Sequence, residues 1–90
     1  MSITALEGTF GATGQSSSVA LQYWFNVSLS DFGTATVAVE RSFDSGSTWV
    51  VVEEFTTDVQ RRGYEPEEGV LYRFNCSAYT SGTISYRFSK

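Results

Sequence analysis

There is no histidine in this 90-residue chain, and only one cysteine, one proline and one methionine. Without histidine the commonest general base is missing, and so is the usual activator of a serine or cysteine nucleophile. A single cysteine, Cys76, cannot close a disulfide within the chain, so the fold does not depend on an oxidising compartment. One cysteine and no histidine also cannot assemble a zinc or other transition-metal site. Basic charge is scarce: six Lys and Arg stand against ten Asp and Glu, a net charge of −4. Arg61-Arg62 is the only paired basic dipeptide. Nucleic-acid binding through phosphate contacts is therefore not expected, nor is attachment to an anionic membrane. No apolar run is long enough to span a bilayer. The opening MSITALE has neither the basic start nor the apolar run of an export signal, so the expectation is a protein made in a cytoplasm. On that expectation the glycosylation-like triplets at Asn26 and Asn75 are coincidence.

What the chain has in quantity is aromatic, valine and hydroxyl side chains. Aromatics make up 16% of it, and large rings give a small core much buried area per residue. A chain this short buries about 60–65% of its unfolded surface, enough for one thin core. One domain over residues 1–90 is expected. Val19, Leu21, Tyr23, Phe25, Val27 and Leu29 occupy every second position, the period of a strand with one face on a core. Trp24 interrupts the polar face, as a second-layer contact or an exposed ring. Ala35, Val37 and Val39 continue the pattern after the turn-like Ser30-Asp31-Phe32-Gly33. Residues 49–55 read as a valine-rich strand. Val70, Tyr72, Phe74, Cys76 and Ala78 form another stripe, and Ile84, Tyr86 and Phe88 a last one. Thr80-Ser81-Gly82-Thr83 reads as a hairpin loop between these two. A first strand is expected over residues 3–10, a flexible connection over 11–18 and a short strand within 58–64. No segment has helical spacing. The pattern predicts an all-β fold, a single small antiparallel β-sandwich of six to seven strands or a small barrel. The stretch from Tyr72 to Phe88 resembles the last hairpin of immunoglobulin-like and fibronectin type III domains.

Between two valine-rich segments stands SFDSGSTW. It resembles the Asp-box, S-x-D-x-G-x-T-W, with Ser42, Asp44, Gly46, Thr48 and Trp49 at the fixed positions. Asp44 can accept backbone N–H groups of its own turn, and Gly46 can supply a positive φ. Thr48 can bond back across the loop, and Trp49 can fold over it. The expected result is a locked hairpin between residues 37–41 and 49–53. Asp-boxes occur in sialidases and related propellers, where the resemblance implies a structural staple and no catalytic role. A propeller also needs one box per blade, and this chain has one.

Other candidate chemistry is thin. Cys76 falls on an apolar stripe and reads as a small core residue. Glu53 and Glu54 point to opposite strand faces. Glu65, Glu67 and Glu68 surround Pro66 and could offer calcium some of its oxygens, although a solvated acidic turn is the favoured reading. The glycine-rich residues 8–14 precede neither a lysine nor a helix, so no phosphate loop is formed. No catalytic residue, metal or cofactor is expected. Tyr23, Trp24, Phe32, Tyr64 and Tyr79 could form a sugar-binding platform. The competing reading buries Tyr23 in the core and gives the others surface contacts.

The blocks EGTFGATGQSSS, FNVSL, VAVERSFDSGSTW and EPEEGVLYRFNCSAYTSGTISYRFS are similar to those of small virion proteins of tailed bacteriophages and prophages. That resemblance implies a virion-associated, non-enzymatic β-domain made in the host cytoplasm. Together with the all-β pattern it leads to the expectation of a head decoration or minor capsid protein. Its partners would be the major capsid protein or other virion proteins, and copies of itself. Trp24, Tyr79, Thr80, Ser81, Gly82, Thr83 and the N-terminal segment are the expected contacts. The alternative is a tail or neck module that binds host-surface glycan through Trp24 and Tyr79.

Overall fold

In the computed structural model, which describes residues 5–90, the alternation becomes seven antiparallel strands with no helix among the described residues. They are β1 (Ala5–Phe10), β2 (Gly14–Gln15), β3 (Val19–Ala20), β4 (Tyr23–Ser42), β5 (Val50–Phe55), β6 (Val59–Glu65) and β7 (Leu71–Ser89). Residues 3 and 4 of the expected first strand lie outside the described residues, as do the first residues of the expected N-terminal contact segment.

Two strands are far longer than the rest, and they pair with each other from Asn26↔Ser89 to Ser42↔Leu71. This ribbon is the frame of the molecule. Along its β4 side run β6, opposite residues 23–29, and β5, opposite residues 37–41. Along its β7 side run β1, β2 and β3. The ribbon is folded over. Phe74 and Phe88 sit 14 residues apart on β7 (88 − 74), which a straight strand would separate by about 46 Å. Their rings instead stack at 4.1 Å, nearly parallel. Phe25 on the first half of β4 likewise meets Tyr72 on the first half of β7 at 5.0 Å, although these two residues are not ladder neighbours. One sheet has become two facing layers, a small antiparallel β-sandwich, with Leu29, Val37, Phe74, Ile84 and Phe88 fully buried between them.

The fold-over lies where turns had been expected. Residues 80–83 do not form a hairpin loop, and Ser30-Asp31-Phe32-Gly33 is not a connection between strands. Both are bends inside continuous strands, facing each other through Phe32↔Gly82 and Thr34↔Ser81. The reason is visible in the backbone. Asp31 has φ 62° and Gly82 φ 109°, left-handed values that turn each strand sharply without ending it. The ladder slips register repeatedly between Ser30 and Ala35, which frees backbone donors. Two of these find side chains: Phe32 N–H donates to Asp58 Oδ1 at 3.1 Å, and Thr34 N–H to Ser81 Oγ at 3.1 Å. The immunoglobulin-like last hairpin expected from Tyr72 to Phe88 is thus one bent strand.

Two further expectations change. The connection over residues 11–18 is tied down along β7, with Ser16 N–H donating to Phe74 O and Phe74 N–H to Ser16 Oγ, both at 2.9 Å. Tyr23 leaves the core series. Its φ of 64° breaks the alternation, so Tyr23 and Trp24 both point outward before Phe25 turns in.

Candidate functional site

The Asp-box hairpin joins β4 to β5, and its bonds can be traced one by one. Asp44 Oδ1 accepts from Thr48 N–H at 2.8 Å and from the Ser42 hydroxyl at 2.8 Å. Ser42 Oγ in turn accepts from Gly46 N–H at 2.8 Å and from Asp44 N–H at 3.3 Å. Gly46 has φ 96°, and Ser45 beside it φ 61°. Trp49 Nε1–H closes the loop onto Gly46 O at 3.0 Å, and the Arg73 guanidinium covers its ring at 4.2 Å. The Thr48 N–H, followed by the Ser42 and Thr48 hydroxyls, holds the Asp44 carboxyl below its ordinary value. The surprise is Ser42, which is fully buried and is the hub of the turn. Ser42→Ala strands two amide donors and is expected to lower stability by about 1–3 kcal/mol, read from urea unfolding. Asp44→Ala, at an exposed position, is expected to lower the melting temperature by less.

Glu65 is not part of a solvated turn. It ends β6 almost fully buried, while Glu67 and Glu68 stay exposed. Its Oε1 accepts from the Tyr72 hydroxyl at 2.7 Å and from Arg41 at 3.2 Å, and its Oε2 from Glu67 N–H at 3.0 Å. It pins the two layers together at one end. Burial alone would raise the Glu65 carboxyl, but the bonds from Tyr72, Glu67 N–H and Arg41 outweigh it and leave it below its ordinary value. Burial, and then the facing carboxylate, push Tyr72 up from 10.0 to about 12. The lowered carboxyl contributes stability that is lost as pH falls through the folded value. The raised phenol contributes stability that is complete below 10 and lost as pH rises to about 12. Urea midpoints should fall at both ends. Tyr72→Phe should flatten the alkaline fall, and Glu65→Gln the acid one.

Neither network offers a reacting group. Cys76 is buried, with its thiol pushed up by burial and donating weakly to Ala78 O at 3.5 Å. Among the described residues no three Cys, Asp or Glu side chains come together as a metal site.

The molecule is unusual on its outside. Among the described residues the large hydrophobics left exposed are Tyr23, Trp24, Phe43, Val50, Val51, Val52 and Tyr64. All seven belong to β4, β5, β6 or the hairpin after β4, and none to β1, β2, β3 or β7. Among the described residues both β5 and β6 are bonded on one side only, to β4, so their outer edges carry free backbone groups. At one end of this side three rings cluster. Trp24, 67% exposed, lies 5.1 Å from Tyr64, its cross-strand partner, and Tyr23 lies 6.4 Å from Tyr64. Beyond the rings the outer face continues with the facing pairs Asn26 and Arg62, then Ser28 and Gln60. A shallow groove of about 800 Å³ runs here, lined by Trp24, Asn26, Gln60, Arg61, Arg62 and Lys90.

A solved structure is similar to this chain in architecture. It is the Yersinia pseudotuberculosis-derived mitogen, with a TM-score of 0.54 over 98% of this chain and 83% of that one. The sequences are 14% identical, so the likeness is one of fold. No protein-family model matches the chain, and no curated protein matches it.

Of the expected contact residues, the structure leaves Trp24 exposed and joins it to Tyr23 and Tyr64. It separates Tyr79 from them. Tyr79 packs against the core with Phe32, and its hydroxyl donates to Gly82 O at 2.6 Å. Thr80, Ser81 and Thr83 are exposed at the bend, with Ser81 Oγ occupied by Thr34 N–H. The five-ring platform is therefore a three-ring cluster. The valines of β5 have the pattern of an ordinary strand, and no sequence signal marks them as an edge. Only their pairing on a single side does that.

Proposed function

We propose that the chain is a non-enzymatic structural protein of a tailed-bacteriophage particle, made in the host cytoplasm. In this reading it decorates the head in many copies by laying its β5–β6 edge against neighbouring major capsid subunits. The one-sided placement of the exposed hydrophobics carries the reading. A domain that worked alone in water would gain nothing by gathering three valines, a phenylalanine and three aromatic rings along a single unpaired side. A free edge strand adds main-chain donors and acceptors to that apolar surface, the combination used when one sheet is extended by another. Each such contact is small, and repetition over a shell, or linkage within an oligomer, multiplies it.

The test is to add purified protein to particles that lack it, sediment them and count bound copies. Copies on the order of hundreds per particle support decoration, in which many weak contacts act together. Val51→Lys, at a half-exposed edge position that tolerates charge, should abolish most of that binding while the melting temperature holds. A few copies per particle would move the protein to the neck or tail, where host adhesion becomes the better reading. No binding, or equal binding by the lysine variant, would overturn docking through this edge.

A further inference from the structure

We propose that the outer face of the β4–β6 pair is a binding site for an acidic saccharide. This face shares the Tyr23, Trp24 and Tyr64 rings with the exposed side described above, but the β5 valines take no part in it. The face is ordered along its length by cross-strand register: Trp24 opposite Tyr64, Asn26 opposite Arg62, Ser28 opposite Gln60. Side chains on one face of neighbouring strands form a continuous strip, and successive pairs repeat along it about every 7 Å. A saccharide chain of a few pyranose units matches that length.

The chemistry of the strip changes along its length. At one end the Trp24 and Tyr64 rings offer an apolar surface for the C–H face of a sugar, and Tyr23 stands beside Tyr64. Asn26 and Gln60 bring amide donors and acceptors suited to ring hydroxyls. The Gln60 amide already donates to Ser28 Oγ at 2.7 Å, which fixes its orientation and leaves its carbonyl free to accept. Arg62 is the cation of the strip. It is exposed, and among the described residues it has no ion-pair partner. Lys90 lines the same groove, with its ammonium on Gln22 O at 3.0 Å and two donors to spare.

The surrounding charge points the same way. The chain as a whole is acidic, yet three of its six cations line this groove. Three carboxylates on neighbouring strands are engaged elsewhere, while Glu54 on β5 and Glu67 and Glu68 past the end of β6 stay exposed. Glu53 holds Arg61 at 3.0 Å, Glu65 is turned inward onto Arg41 and Tyr72, and Glu7 faces Arg87 at 3.8 Å. Arg62 and Lys90 are thus left to attract an anion, and a guanidinium can take a carboxylate by two parallel hydrogen bonds. Rings, amides and an unpaired guanidinium on one flat face suit a carboxylated sugar better than a neutral one. A bare anion would make no use of the rings.

The test is an NMR titration of the whole chain with a galacturonate trisaccharide, following the Trp24 indole and the backbone signals of β4 and β6. Cellotriose, inorganic phosphate and a short oligothymidylate serve as comparison probes. The expected result is a saturable shift of Trp24, Asn26 and Arg62 with galacturonate and a much weaker one with cellotriose. Arg62→Gln should weaken the galacturonate response at least about tenfold, equivalent to 1.4 kcal/mol. Trp24→Ala should abolish it, with dispersed spectra showing both variants folded. Val51→Lys should leave it intact, so a failure of edge docking and a failure of this site can be told apart. Silence with both sugars, or equal shifts with the two, would overturn the proposal. So would the same response to phosphate alone, which means a simple anion site, or tighter binding of oligothymidylate, which means a single-stranded nucleic-acid face.

Discussion

Gly82→Ala is expected to be among the most damaging single substitutions in this domain, costing about 3–5 kcal/mol from left-handed strain and overpacking combined. Gly82 has φ 109°, which a side-chain-bearing residue resists. A Cβ placed there would also run into the backbone nitrogen of Gly33 across the fold-over. Neither problem can relax, because the obstacle is main chain of the paired strand. The reciprocal change, Gly33→Ala, brings its Cβ to 2.5 Å from Ser81 O and should cost nearly as much. Urea unfolding by circular dichroism reads both. A Gly82→Ala protein with a wild-type midpoint would show that the two strands need not cross so closely.

Phe88→Ala is the second large effect, expected at about 3–5 kcal/mol. Phe88 is fully buried, and its ring meets Phe74 face to face at 4.1 Å, Tyr72 at 6.0 Å and Phe25 at 6.2 Å, the last two edge-on. These partners come from both layers, so the cavity left by truncation would open where the two halves of the sheet touch. Little nearby can fill it, because the neighbouring rings are held in place by their own strands. Phe88→Leu should cost clearly less, since it keeps most of the volume. Equal losses for the two variants would mean that ring stacking, and not volume, closes the sandwich.

Strand positions were legible in the sequence because alternation is a local signal. Phe25, Val27, Leu29, Val37, Val39, Phe74, Ile84 and Phe88 all face the core as their spacing predicts. The Asp-box was legible for the same reason, since its bonds span no more than four residues apart from the cover of Arg73 over Trp49. What failed were the places where glycine and hydroxyl residues interrupt a stripe. Thr80-Ser81-Gly82-Thr83 has the composition of a hairpin loop. A bend in a paired strand needs the same residues, and only the opposite strand, with Gly33 in register, distinguishes the two. Glu65 poses the same difficulty. An acidic residue before proline suggests solvent, and its partners Arg41 and Tyr72 lie 24 and 7 residues away along the chain. Tyr23 failed on backbone conformation, since a positive φ at a tyrosine leaves no mark in periodicity. Of the candidate surface, Trp24 was legible as an intruder on a polar face. Arg62 and Gln60 joined it only once β6 was seen to lie beside β4.

The ribbon that frames the molecule also sets the order of its assembly. Arg41 and Val50 are separated by nine residues, so the β4–β5 hairpin can close early and locally. The pairing of β4 with β7 begins at a separation of 29 residues, Ser42 with Leu71, and ends at 63, Asn26 with Ser89. Chains dominated by such distant pairings fold slowly, in about milliseconds to seconds. Until β7 arrives, the stapled hairpin has no layer to cover, and Val50, Val51 and Val52 stand on a bare strand beside nothing but β4. In a cell making many copies at once, the same valine edge is where two unfinished chains would first adhere. Speed of closure, as much as final stability, then decides how much of the chain reaches its folded state.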